Sequence, residues 1–376
     1  MLFEMITRKI RSFYLLFTFR GSIPYKELVD KLTKVLSRCI KSAVIKIRVC
    51  VMSFKRIATI ALAGSLALGS LASCTRKEEK VGAKSNPLKM FFIPSDDTRE
   101  IALNAKDVSR FLEKFVSQRL YGKDEGFYIK SSVPTSYIAV VEAFGTGRAD
   151  FAALNTFSYI LLKDKKKYPS EALLKVVRGH DETSYKAQIL ARADSGINSI
   201  EDLKGKKFAY TDPASTSGYI LPSIMFKEKG IKLGEEIFAG RHDTVATMVY
   251  QGQVDAGATY YSPPEDGKIM DARKRIMTQF PDVGEKVKII GFSRDIPNAP
   301  WVIRDNLYKD KELYEKVKTA LQEGVIEYVK TPSGKDVLMK LYSITGMVKA
   351  NDEDYKPVRK MFQESDFDVM QLIKKK

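Results

Sequence analysis

The chain has 376 residues, enough for two domains, and its 44% hydrophobic and 29% charged content is that of a folded globular protein, not of a disordered one. A formal charge of +17 points at first to nucleic acid, but residues 1–73 hold 13 Lys/Arg against 3 Asp/Glu, which leaves only about +7 on the rest. There lysine and glutamate are interspersed as on a solvated surface, without the interleaved aromatics of a strand-binding groove, so no nucleic-acid partner is expected.

The stretch "MSFKRIATIALAGSLALGSLASC", Met52 to Cys74, places Lys55 and Arg56 ahead of an uncharged run that ends in small residues, the layout of an export signal. The run Ile57 to Ser73 has 17 residues, short of the roughly 20 that a membrane-crossing helix needs, and Gly64, Ser65, Gly69 and Ser70 disfavour a stop-transfer role. Its end, Leu71-Ala72-Ser73-Cys74, resembles the lipobox of bacterial lipoproteins, which implies cleavage before Cys74 and acylation of that cysteine. Signals of this kind sit at an N-terminus. Met52 is therefore expected to be the true start, with residues 1–51 an upstream extension, 52–73 the signal peptide and 74–87 a charged, flexible tether. Cys39 and Cys50 fall in the discarded part, so the mature chain keeps one thiol, used for the anchor, and no disulfide. With His180 and His242 its only imidazoles, neither a metal nor a cofactor is expected.

From Leu88 onward short apolar runs alternate with amphipathic helices, which predicts an α/β architecture. "LKMFFIP" is a strand ending at Pro94, and Thr98 is the expected N-cap of a helix that carries Ile101, Ala105, Val108, Phe111, Leu112 and Phe115 on one face and stops at Gly122. "GFYIKSSV", "ADFAAL", "LLKVVRGH" and "YKAQILAR" read as strands, with a short helix in "PTSYIAVVEAFGTG". A second set follows. "SIEDLKGKKFAYT" is a turn capped by Ser199 and then a strand; a helix runs from Ser217 to Lys229 and stops at Gly230. "EEIFAG", "QVDAGATY" and "KVKIIGFS" are strands around the helix "HDTVATMVYQG", and after "IPNAPWVIR" the chain is expected to be helical to its end. Two similar "G-x-x-D" turns into strands, in "GTGRADFAAL" and "YQGQVDAGAT", suggest two lobes of one design: 88–187, then 188–291, with 292–376 returning to the first.

Ligands in open α/β sheets bind beyond the carboxyl ends of the strands. The loops 94–98, 134–137, 154–158, 212–218, 241–243 and 260–265 should then face one cleft, with Ser95, Asn155, Thr156 and Tyr260 among the candidate ligand contacts. The stretch "DPASTSG" stands out, because Ser215, Thr216 and Ser217 lie where a helix opens. Its unpaired amides and dipole, with three hydroxyls, suit a tetrahedral oxyanion. Charge-assisted bonds contribute roughly 1.5–3 kcal/mol each, so five or six suffice for micromolar binding after entropic losses. Gly218 is expected to let the backbone approach that ligand. The plain alternative is that these residues only cap the helix.

"DPASTSGYILP", "HDTVATMVYQGQVDAGAT" and "IPNAPWVIR", in that order, resemble the phosphonate-, phosphite- and phosphate-binding lipoproteins of bacterial ABC importers over about residues 88–305. The resemblance implies a two-lobed type II periplasmic-binding-protein fold with a ligand cleft between lobes, a hinge crossed twice, an ABC permease as partner, and an extracytoplasmic, lipid-anchored monomer. It also implies that Ser215, Thr216 and Ser217 donate to the oxyanion, that Tyr137 donates its phenol from the opposite lobe, and that His242 reaches the same oxygens. The match is imperfect at Leu154, where aminophosphonate binders carry a second tyrosine, and at "YYSPPED" and "IPNAP", where they carry acids for the ligand's amine; Glu265 is shifted by two positions. Without placed carboxylates, phosphate, phosphite or a simple alkylphosphonate is expected over aminoethylphosphonate, with Tyr260, Tyr261 and Trp301 either walling the substituent side or packing the core and hinge. His180 is expected to be structural.

An enzyme is the first rival, but no G-x-S-x-G, H-E-x-x-H, P-loop or G-x-G-x-x-G occurs, and Ser217 with His242 lacks a placed third member. A binding protein of the same fold for another small anion or metabolite, and a sensor that presents its ligand to a membrane kinase, are the others.

Overall fold

The computed structural model describes residues 80–179 and 181–364. The export signal, Cys74 and His180 lie outside the described residues. Part of the expected tether does not: Tyr128 donates its amide to Gly82 O at 2.8 Å, Tyr308 donates its hydroxyl to Val81 O at 2.7 Å, and Val81 packs on the core, so residues 80–87 are already folded against the first lobe.

The first lobe is built on a six-stranded sheet. In β1 (Leu88–Phe92), residues 88, 90 and 92 are buried on one face, as the period of two demands. β1 pairs in parallel with β2 (Ile129–Ser132) and β3 (Phe151–Ala153). β11 (Pro300–Ile303) returns antiparallel beside β3, and β4 (Glu171–Val177) lies beside β11. The helix α1 (Thr98–Tyr121) sets Ile101, Ala105, Val108, Leu112 and Val116 against this sheet and against α7 (Lys311–Lys330), forming one core. Its N-cap is Asp97, whose carboxylate accepts from Arg99 N and Glu100 N; Thr98, the expected cap, is the first helical residue. α2 (Tyr137–Gly145) and α3 (Thr156–Ile160) cover the opposite face of the sheet, packing on Ala152 and Val302. The chain is not helical to its end: after α8 (Pro332–Tyr342), β12 (Gly346–Lys349) adds to the edge of β4, closing the order β12-β4-β11-β3-β1-β2. The last described helix, α9 (Lys356–Glu364), braces α3 from behind, with Phe362 edge-on to Phe157 and Arg359 bonded to Asp164 and Asp352 at 2.6 Å.

In the second lobe the strand order is β10-β5-β8-β6-β7, with β9 also paired to β5. These are β5 (Ser184–Arg192), β6 (Lys207–Tyr210), β7 (Glu235–Phe238), β8 (Ala256–Tyr261), β9 (Val287–Phe292) and β10 (Ile296–Pro297). α4 (Leu221–Glu228) covers one face through Phe226, and α5 (His242–Tyr250) the other through Val245 and Val249. The expected cap at Ser199 is not formed; instead the Ser199 amide donates to Asp202.

Sheet membership changes between Val177 and Ser184 and again between Pro297 and Pro300, so the passages between lobes fall a few residues earlier and later, respectively, than the expected boundaries at 187/188 and 291/292. The reason is that all of β5 and the short β10 pair within the second sheet.

Candidate functional site

Between the lobes lies a cavity of about 60 Å3, several times the room that one water requires. The loops expected to converge do so for the most part. Ser95 and Asp96 follow β1, Tyr137 opens α2, and Asn155 follows β3; from the other lobe come Ser215 and Ser217 after β6, His242 at the start of α5, and Tyr260 in β8. All are buried.

The "DPASTSG" stretch serves both of the purposes set against each other above. Thr216–Ile220 forms a wide turn that runs into α4, and the Ser215 hydroxyl caps it by accepting from Gly218 N at 3.1 Å. Tyr219 N and Ile220 N both donate to Ser215 O, which leaves the Thr216 and Ser217 amides as the donors of that turn without a preceding carbonyl. Because a hydroxyl that accepts keeps its own proton, Ser215 both caps and lines the cavity beside Ser217.

Four residues considered for the ligand space are placed otherwise. Thr216 and Thr156 are fully buried but do not line the cavity: Thr216 Oγ1 accepts from Phe157 N at 2.9 Å, and Thr156 Oγ1 donates to Pro297 O at 2.7 Å. Both oxygens take part in bonds between the lobes, and both side chains also reach the Tyr185 phenol. Gly218 serves packing, not ligand approach, since a β-carbon there would run into the Thr211 hydroxyl. Tyr261 turns away from the cavity and meets Phe292 edge-on, while Trp301 lines its floor wedged edge-on against Phe92 and Phe151.

The lining also holds groups that the sequence reading did not single out: Asp96, Arg178, Tyr185, Arg275 and Tyr342. Asp96 corrects the expectation that no carboxylate is placed at the site. Asp96 lies beside Ser95 in the loop 94–98 expected to face the cleft, directly before the α1 cap Asp97, and it lines the cavity. Arg178 carries its own signal in retrospect, for it is the first residue beyond β4 and so obeys the strand-end rule. Arg275 has none, being one of three basic residues in the short turn Ala272–Ile276.

The electrostatics favour a small anion. Arg178 donates to Asn298 Oδ1 at 2.8 Å and lies 5.0 Å over the Tyr185 ring. Arg275 Nε sits 3.2 Å from the Tyr260 hydroxyl and 3.6 Å from Asp96, and its Nη1 donates to Lys340 O at 2.7 Å. Burial works against the Arg275 charge, but Tyr260 and Asp96 outweigh it and hold the pKa above its usual value. The phenol of Tyr137 is pushed well above its usual pKa by burial and then by the Asp212 and Asp96 charges, so it remains a donor. Burial, with smaller contributions from Arg275 and Arg178, brings His242 down to about 3, leaving a neutral ring that donates from one nitrogen only. Two guanidiniums against one carboxylate leave the lining net positive. Four of its buried polar atoms have no partner: Arg275 Nη2, Trp301 Nε1, His242 Nδ1 and Asp96 Oδ1. Such groups are costly unless something fills the space between them.

Several bonds tie the lobes together around this cavity. His242 N donates to Ser95 O at 3.0 Å, Asn155 Nδ2 to Ala214 O at 2.8 Å, and Tyr137 N to Asp212 at 3.3 Å. Two α/β lobes joined by two short passages and closed over a small, positively polarised cavity define a cleft-type solute-binding protein. The chain belongs to the family described as ABC transporter, phosphonate, periplasmic substrate-binding protein, whose model matches residues 92–355. It is 28% identical over 321 residues to the phosphate-import protein PhnD of Mycolicibacterium smegmatis, covering 81% of this chain and 94% of that one. To the phosphonates-binding periplasmic protein of Escherichia coli it is 25% identical over 298 residues, covering 77% and 79%. Among solved structures, a binding protein component of an ABC phosphonate transporter from Pseudomonas aeruginosa superposes with a TM-score of 0.59 at 22% identity, over 74% of this chain and 88% of that one. PhnD1 of Prochlorococcus marinus, in complex with methylphosphonate, gives 0.59 at 18% identity, over 74% and 97%. The fold is that of the type II periplasmic binding proteins.

Proposed function

We propose that this protein captures a small phosphorus oxyanion, phosphate, phosphite or a simple alkylphosphonate, outside the cytoplasm and delivers it to an ABC permease. The observation that carries the reading is the cavity's set of buried, unpartnered groups, above all Arg275 Nη2, beside the hydroxyls of Ser215 and Ser217. An oxyanion offers these donors the acceptors they lack. Binding without turnover fits the same geometry: His242 Nδ1 has no partner, so no carboxylate orients the imidazole towards a serine. The lipobox-like Leu71-Ala72-Ser73-Cys74 supports a lipid anchor at Cys74 on the outer face of the membrane, and the closed cavity is compatible with a monomer acting alone.

Isothermal titration with phosphate, phosphite, methylphosphonate and aminoethylphosphonate tests the proposal. Binding of at least one of the first three, with the aminated compound weaker, is expected; failure of all of them to bind would overturn it. Intact-mass analysis of the cellular protein tests the anchor, since a mature form that retains residues 1–51 would refute it.

A further inference from the structure

The cavity lining is uneven in what it offers. Arginine, indole and serine groups donate, whereas Asp96 accepts when ionised. Asp96 is 5% exposed. Its Oδ2 is engaged by Ser95 Oγ at 3.4 Å and lies 3.6 Å from Arg275 Nε, while Oδ1 is buried with no partner. A fully deprotonated anion held by the surrounding donors would set lone pair against lone pair and charge against charge at that oxygen.

We propose that Asp96 restricts the site to oxyanions that still carry a proton: one hydroxyl of the bound group donates to Asp96 Oδ1 while its other oxygens accept from Arg275 Nη2 and the serine hydroxyls. This inference rests on the functional reading above and narrows it. Near neutral pH phosphate keeps a proton on oxygen in both of its ionic forms, and alkylphosphonates and phosphite keep one as their monoanions, whereas sulfate and sulfonates have none to give. The same carboxylate that would repel a bare anion then gains a charge-assisted bond, so discrimination comes from a repulsive element as well as an attractive one. An ammonium group on the ligand is the competing occupant for Oδ1. It is disfavoured because Asp96 already has Arg275 as its cation and Arg178 lines the same cavity, so a third cation would enter a space with one carboxylate.

The test is isothermal titration of the full chain with two matched pairs, methylphosphonate against methanesulfonate and phosphate against sulfate. For the wild-type protein the sulfur compound of each pair is expected to bind at least ~100-fold more weakly, as a lost bond plus a repulsion implies. In Asp96→Asn, whose amide can donate, the gap is expected to shrink to about tenfold or less. Methanesulfonate within tenfold of methylphosphonate on the wild-type protein would overturn the inference while leaving the oxyanion reading intact. So would undiminished discrimination in the variant. A preference for aminoethylphosphonate over methylphosphonate that Asp96→Asn abolishes would assign the carboxylate to an ammonium and also overturn it. If no phosphorus compound binds the wild type, the functional reading fails and this inference fails with it. Should Asp96→Asn not fold, the wild-type pairs decide alone.

Discussion

Arg178, in the first passage between the lobes, donates from Nη1 to Asn298 Oδ1 in the second, at 2.8 Å. Asn298 in turn donates from Nδ2 to Glu182 O at 2.8 Å and from its amide to Thr183 O at 2.9 Å, so one side chain staples the two hinge segments and holds a cavity-lining guanidinium. Asn298→Ala removes the acceptor of a buried charge and one of the two donors to Glu182 O, which keeps the Arg178 amide. A loss of about 1–3 kcal/mol in chemical denaturation is expected, together with weaker ligand binding because Arg178 is no longer aimed. Unchanged stability and affinity would show that the staple is idle.

Arg275 and Asp96 form a second buried pair, and here the sign of a double substitution is informative. Arg275→Met leaves the Asp96 carboxylate without its nearest cation, and removing one partner of a buried pair costs roughly 3–5 kcal/mol. Adding Asp96→Asn removes the stranded charge and is expected to restore a good part of that stability but not the ligand binding. The measurement is a double-mutant cycle on denaturation midpoints, with titration of phosphate alongside. Additive losses would argue that the two groups do not sense each other.

His242 gives a pH dependence whose direction follows from burial. Its pKa falls from 6.5 to about 3 in the folded protein, so between those values the unfolded chain binds a proton that the folded one does not. Stability therefore drops as pH falls below about 6.5, by up to ~1.4 kcal/mol per pH unit from this residue. His242→Gln, which cannot take the proton, should flatten the decline between pH 6 and 4 in thermal melts. A curve parallel to the wild type would mean that other groups dominate acid sensitivity.

These cases show what could be read from the chain and what could not. The alternation of apolar runs and helices identified the α/β lobes, and the strand-end rule brought Ser95, Tyr137, Asn155, Ser215, Ser217, His242 and Tyr260 to one cavity. Side-chain direction was less legible. Thr216 sits between two lining serines yet points to the other lobe, because consecutive residues of a helical turn face different ways. Asp96 lies in the loop 94–98 that the strand-end rule placed at the cleft, but which side chains of a short loop turn inward is set by the fold and not by position in the chain. Arg275 lies in a turn outside any strand end, so only the tertiary structure brings it to the ligand space. Likewise β12, four residues with one buried side chain, pairs because β4 offers an edge and not because its own sequence demands a strand.

The different directions of Ser217 and Thr216 separate a wall from a latch. Ser217→Ala deletes a lining hydroxyl and should weaken oxyanion binding by about 10- to 100-fold, the equivalent of one charge-assisted bond, while the thermal midpoint without ligand stays near that of the wild type. Thr216→Val keeps the shape but removes the acceptor of Phe157 N, a bond that joins the lobes. Its affinity should also fall, by roughly fivefold or more, through a less populated closed state and not through a lost ligand contact. Small-angle scattering tells the two apart: the saturated Ser217→Ala protein is expected to be as compact as the wild type, and Thr216→Val less so at equal ligand concentration. Equal compaction of both with equal affinity loss would place Thr216 among the ligand contacts after all.

Gly218 supplies the last test of how the turn is built. Its carbonyl accepts from Thr211 N at 3.1 Å, and the close approach leaves no room for a β-carbon against the Thr211 side chain. Thr211 is fully buried and cannot move into solvent to relieve the crowding. Gly218→Ala should therefore destabilise the protein by about 1–3 kcal/mol and displace the turn that carries Ser215 and Ser217. Thr211→Ala removes the hydroxyl and methyl that crowd this position but keeps its own β-carbon 2.7 Å from the new one, so in combination with Gly218→Ala it is expected to recover part of the lost stability and binding. If Gly218→Ala binds and melts as the wild type does, the contact with Thr211 is not what requires a glycine at this position.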